Sequence, residues 1–131
     1  MSDVIQIQAE RQVVEPGDGL AIKVPSGQEI ILQDVIWDVP GPQGMVTRFR
    51  FIAPAIARNL GAIDFDAAAA DMLHLCQEFA LPKVVGSNLV PSQIIISLSD
   101  QEMLFGQSNP DATQFFEAYR IENGACIWEI F

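Results

Sequence analysis

The chain is short of the residues that carry chemistry. Among 131 residues there is one histidine, His74, and there are two cysteines, Cys76 and Cys126. A Ser-His-Asp arrangement would have to use His74 as its base, and no Gly-x-Ser-x-Gly elbow is present. The ordinary nucleotide loops, Gly-x-Gly-x-x-Gly and Gly-x-x-x-x-Gly-Lys, are missing as well. No Cys-x-x-Cys occurs, which excludes a thioredoxin-type redox pair. Positive charge is scarce: 7 Lys+Arg face 17 Asp+Glu, a net charge of −10. Such a surface repels phosphate backbones and anionic headgroups, so neither nucleic acid nor a membrane surface is expected as a partner. A basic protein is. Long apolar runs are absent too, since the longest uncharged stretch, Val84–Ser99, is broken by Gly86, Ser87, Asn88, Pro91, Ser92 and Gln93. A membrane-spanning helix would not tolerate these. The opening Met-Ser-Asp-Val-Ile-Gln shows no basic stretch followed by an apolar one, so no signal peptide is visible. That leaves a cytoplasmic chain or a mature, trimmed form.

What is present is core material. Half of the residues are hydrophobic and 18% are charged, which fits one folded domain of ordinary size. Residues 1–28 read as an arm and an edge strand around the turn Glu15-Pro16-Gly17-Asp18-Gly19, and residues 29–131 as one domain. Ile30–Val39 and Met45–Ile52 flank Pro40-Gly41-Pro42-Gln43-Gly44 and predict a β-hairpin. In that register Val35 faces Phe49 and Trp37 faces Thr47, with Ile31, Val39, Met45 and Phe51 on the same side. Asp34, Asp38, Arg48 and Arg50 then share the other side, with Asp34 opposite Arg50.

Asp64–Leu81 predicts the main helix, capped by Asp64 or Asp66 and stopped by Pro82. Phe65, Ala69, Met72, Cys76 and Phe79, widened by Ala68 and Leu75, mark its inward face, while Asp71, His74 and Glu78 mark the outer one. Ser92–Ser99, with three successive isoleucines, predicts a central strand buried on both faces. A short strand over Gln101–Phe105 and a helical turn at Ser108-Asn109-Pro110-Asp111 follow. Asn123-Gly124 then closes a second hairpin, Phe115–Ile121 with Ala125–Phe131, pairing Ile121 with Cys126 and Tyr119 with Trp128. The expected class is α+β: two layers, one main helix packed on an antiparallel sheet.

Few side chains qualify as a site. Arg48 and Arg50 could grip a carboxylate or phosphate together, yet Asp34 and Asp38 stand where they would neutralise them across the hairpin. His74 with Asp71 and Glu78 gives a thin ligand set for a metal, and a solvated acidic face is the simpler account. The 17 acids offer many carboxylate pairs, but the separation that is diagnostic for glycoside hydrolysis cannot be read from sequence. No catalytic, cofactor-binding or metal-binding residue is therefore assigned. Cys76 and Cys126 do stand out, because the helical and strand periods point both into one core. Two readings stay open for them: a disulfide in an oxidising compartment, or two reduced core thiols.

Several stretches share wording with known proteins: Pro25-Ser26-Gly27-Gln28, Ile94–Asp100, Phe105-Gly106, Asp111–Glu117 and Cys126-Ile127-Trp128-Glu129. On these the chain resembles, over about residues 25–131, a small alphaproteobacterial family of unknown function from relatives of Rhodobacter. Members of that family carry a leader ahead of the Pro-Ser-Gly-Gln stretch, which implies export to the periplasm. This chain has Met-Ser-Asp and an extra arm there, so periplasm and cytoplasm both stand. Three roles follow: a non-catalytic acidic binding or accessory protein docking on a larger partner, an intracellular acidic inhibitor or immunity-type protein, and a small hydrolase or lyase using carboxylates and an arginine.

Overall fold

The run Ile94-Ile95-Ile96 sets the centre of the fold. In the computed structural model, which describes residues 13–41, 44–58, 60–87, 90–104, 107 and 109–129, every residue of Gln93–Ser99 (β5) is buried. Around it lies one seven-stranded sheet built also from Val13–Pro16 (β1), Ala21–Ile22 (β2), Ile30–Gly41 (β3), Gly44–Ile52 (β4), Gln114–Glu122 (β6) and Ala125–Glu129 (β7). The strands run β1-β3-β4-β5-β6-β7, and β2 continues the β1 edge along β3. Residues 1–12 of the arm lie outside the described residues.

The sheet is not antiparallel throughout, and the expected α+β class needs correcting. The described residues are mostly sheet, seven strands against a single 21-residue helical segment. β4 and β5 pair in parallel, Phe49 beside Ile96 and Phe51 beside Leu98. The reason is the connection: the chain leaves β4, passes through the helical segment and re-enters beside β4 in the same direction, as parallel neighbours require. A strand so placed has no wet face, which is why it reads as a continuous apolar run.

The helical segment opens as expected and ends differently. Asp64 Oδ1 accepts the Ala67 N–H at 2.9 Å and caps α1 (Phe65–Leu75). Pro82 does not stop the helix. A π turn at Cys76–Ala80, in which the Leu81 N–H donates to the Cys76 carbonyl five residues back, leads into α2 (Leu81–Val85). Proline lacks an N–H and its ring collides with the carbonyl four residues earlier, and the wider turn just before it gives room for both. Ala68, Met72, Leu75, Cys76, Ala80, Leu81 and Val84 enter the core with Val35, Phe49, Phe51, Ile94, Ile96, Leu98 and Tyr119.

Registers were legible near both turns. The second hairpin pairs Ile121 with Cys126 and Tyr119 with Trp128, and Asn123 and Gly124 sit at φ 52° and 74°, as a type I′ turn demands. In the first, Asp34 pairs with Arg50 and Val35 with Phe49. Irregularities between Leu32 and Asp34 and between Ile36 and Val39 then break the alternation. Hence Trp37 does not face Thr47, Leu32 takes the core place expected of Ile31, and Met45 stands exposed. No strand forms over Gln101–Leu104, where Gln33 instead bonds both backbone groups of Met103, and Phe105 lies outside the described residues. Asn109–Ala112 forms a single turn.

Candidate functional site

Arg50 is committed to Asp34. Its Nε and a terminal nitrogen donate to the two carboxylate oxygens at 2.8 and 2.7 Å, a bidentate pair. The pairing was expected and its exposure was not: each residue is only 8% exposed. Around this pair the sheet face away from the helix is closed rather than wet, with Ile36, Gln93, Ser97 and Ser99 buried on it and the segment after β5 reaching β3 at Gln33, while on β6 Phe116 stands exposed. Arg48 pairs with Ile36 on this face and is half-buried. Burial, and then the charge of Arg50, holds its guanidinium below its ordinary value.

The outer stripe of the helix also divides. Asp71 is fully buried, and its carboxylate accepts from the Ser26 N–H at 2.9 Å, the Ser26 hydroxyl at 2.5 Å and Gln28 Nε2 at 2.7 Å. These donors come from the Pro25-Ser26-Gly27-Gln28 turn, where Gly27 adopts φ +82°. The acid lies inside because it terminates that turn, while Glu78 is exposed and His74 half-buried. Among the described residues no group of three or more His, Cys, Asp or Glu side chains could hold a metal.

Cys76 and Cys126 meet as the two periods indicated. Their Cα atoms are 6.3 Å apart and their sulfurs at disulfide distance, with both residues buried. Gln77 reinforces the junction: its Oε1 accepts the Cys126 N–H at 3.0 Å and its Nε2 donates to the Gly124 carbonyl at 3.2 Å.

Beside this junction opens the most distinctive surface of the molecule. A groove of about 220 Å³ runs between α1 and the β6–β7 edge, lined by Phe65, Ala69, Leu73, Glu117, Tyr119 and Trp128. Phe65, Leu73 and Trp128 are each about half exposed, at 47%, 46% and 53%. Phe65 and Trp128 were expected in the core. The helix instead carries two apolar stripes about 60° apart, Ala68-Met72-Cys76 facing the sheet and Phe65-Ala69-Leu73 facing the groove. Phe65 is steadied by an edge-on contact with Phe115 at 5.3 Å. The Trp128 indole N–H donates to Glu117 Oε2. Tyr119 is 2% exposed, and burial, followed by the Glu117 charge, keeps its phenol protonated well above the ordinary range. A half-exposed cluster of this kind can bind, and its one titratable charge is an acid.

A larger hollow, about 520 Å³, lies where the turn Pro54–Ile56 meets the start of β6. Arg58 dominates it, but its guanidinium already serves Thr113 Oγ1 at 3.3 Å and the Ala112 carbonyl at 3.2 Å. That arginine ties a loop.

The chain belongs to a family of unknown function, DUF6497. The match covers residues 4–131, nearly the whole chain and well beyond the stretch over which its wording shows a resemblance. No curated protein matches it, and neither does any solved structure. Among the described residues no helix is long and apolar enough to cross a membrane.

Proposed function

We propose that this member of the DUF6497 family is a non-catalytic accessory protein that docks on a larger, basic partner through the groove between α1 and the β6–β7 edge. The observation that carries the reading is the contiguous set of half-exposed Phe65, Leu73 and Trp128 on one rigid frame. Aromatic anchors at a concave surface are what binding hot spots use. Glu117 within the groove and the net charge of −10 favour a cationic partner and speed its capture. A periplasmic setting, implied by the resemblance to alphaproteobacterial proteins, goes with this role, because the cysteines stand at disulfide distance. An intracellular inhibitor would keep them reduced. A hydrolase built on Arg48 or Arg50 would need a pocket around them, and they line neither hollow described above.

Capture from the native host with wild-type chain and with Leu73→Asp, both checked for an unchanged fold, tests the reading. One basic partner held by the wild type and lost by the variant is the expected result. Recovery of wild-type protein only as a free monomer from gently lysed cells would overturn it.

A further inference from the structure

The groove is largely apolar, and its two acceptors sit on one strand. Glu117 and Tyr119 are two residues apart on β6 and therefore point to the same side of the sheet. One oxygen of Glu117 is taken by the Trp128 indole, and Oε1 has no hydrogen bond among the described residues. The Tyr119 hydroxyl, on a side chain almost wholly buried, likewise has no hydrogen-bond partner among the described residues, yet it lines the groove. Two acceptors facing one apolar groove can take a donor from outside the chain, and a cationic donor complements the carboxylate.

We propose that the groove receives a lysine side chain of the docking partner, its ammonium donating to Glu117 Oε1 and Tyr119 Oη and its methylenes lying on Phe65, Leu73 and Trp128. This rests on the docking reading above and names what the partner inserts. Arginine fits less well. Its planar fork seeks both oxygens of one carboxylate, and here one is already occupied, whereas an ammonium directs three donors at separate single acceptors. The aliphatic stem of lysine covers apolar surface while its head reaches the polar floor, and the Trp128 and Tyr119 rings add cation–π attraction.

The probes are Nα-acetyl-lysine N-methylamide, its norleucine analogue, which keeps the stem and lacks the charge, and its arginine analogue. Each is titrated into the intact oxidised chain while the Trp128 indole N–H resonance is followed by NMR, with the Trp37 indole as the fold control. Lysine should bind about tenfold more tightly than norleucine, the size of one charge-assisted hydrogen bond. Glu117→Gln keeps an acceptor for the indole and should lose that about tenfold advantage, and Tyr119→Phe about threefold of it, with norleucine unaffected. Norleucine binding equal to lysine, arginine binding tighter than lysine, or no response to any probe would each overturn the assignment. The two readings fail separately. If a native partner is captured through Leu73 but Glu117→Gln and Tyr119→Phe capture it equally well, the lysine pocket is wrong and docking stands. If lysine binds selectively and no partner is ever captured, docking is wrong and the pocket stands.

Discussion

The helical segment is fastened to the rest of the molecule at two places made of opposite materials. At the β7 edge the fastening is covalent, Cys76 to Cys126, with Gln77 bonded to the same hairpin. At the β2–β3 side it is ionic, the buried Asp71 carboxylate gathering three donors from Ser26 and Gln28. The first keeps its strength when water reaches it, and it borders the open groove. The second depends on dryness, because a carboxylate in contact with water gains little from the same donors. Each is matched to its surroundings, and each can be broken by a different reagent.

Reduction should have the largest effect. The bridge spans 50 positions, and on the loop-closure account its removal costs about 4 kcal/mol. Urea midpoints of oxidised and dithiothreitol-treated protein, and of Cys126→Ser, measure this. A loss below about 1 kcal/mol would mean that the unfolded chain is not constrained as that account assumes. Asp71→Ala should come next, at about 2 kcal/mol, since it removes three hydrogen bonds to one wholly buried carboxylate. Chemical denaturation reads the loss, and amide exchange of the 24–28 turn should accelerate with it. Gln77→Ala, which leaves a disulfide in place to hold the hairpin, should cost about 1 kcal/mol by the same denaturation assay.

The smallest effect belongs to a third and wetter tie, where Lys83 Nζ meets Glu15 Oε2 at 2.7 Å and joins α2 to β1. The hydrogen bond from Lys83 holds the Glu15 carboxyl below its ordinary range. A carboxyl depressed in the folded state contributes stability above its unfolded value of about 4.3, and that contribution is lost as pH falls through the folded one. Both side chains are a third or more exposed, so Glu15→Gln should change stability by no more than about 0.5 kcal/mol. The difference between variant and wild type should shrink as pH falls through the depressed folded value and vanish once both carry a neutral side chain. A pH series of denaturation midpoints checks both statements.

Of the two main fastenings, the covalent one was legible and the ionic one was not. Two periods, 3.6 for the helix and 2 for the strand counted from Asn123-Gly124, place Cys76 and Cys126 in one core without knowledge of anything else. Asp71 defeats the same method, because periodicity sorts residues by polarity and puts an acid outside. Its burial depends on donors some 45 positions away in Pro25-Ser26-Gly27-Gln28, a stretch whose wording stood out while its reason stayed hidden. The groove was missed for a related cause. Phe65 and Trp128 are apolar and in phase with core positions, and only the placement of the helix over a short edge strand shows that they overhang it. The Asp34–Arg50 register followed from the hairpin pattern, but the closure of their face did not. The parallel pairing of β4 and β5 left one trace, the isoleucine run, which fits any strand covered on both sides.

The π turn at Cys76–Ala80 amounts to a rotational shim. In an unbroken α-helix Met72 and Val84, twelve positions apart, would point about 120° away from each other, yet both are wholly buried. One additional residue in the turn reduces that disagreement to about 20°. Shortening Cys76–Ala80 by one residue would leave the two eleven positions apart, within about 20° even in a regular helix, so both would stay inward; what would go is the wide turn that gives Pro82 its room.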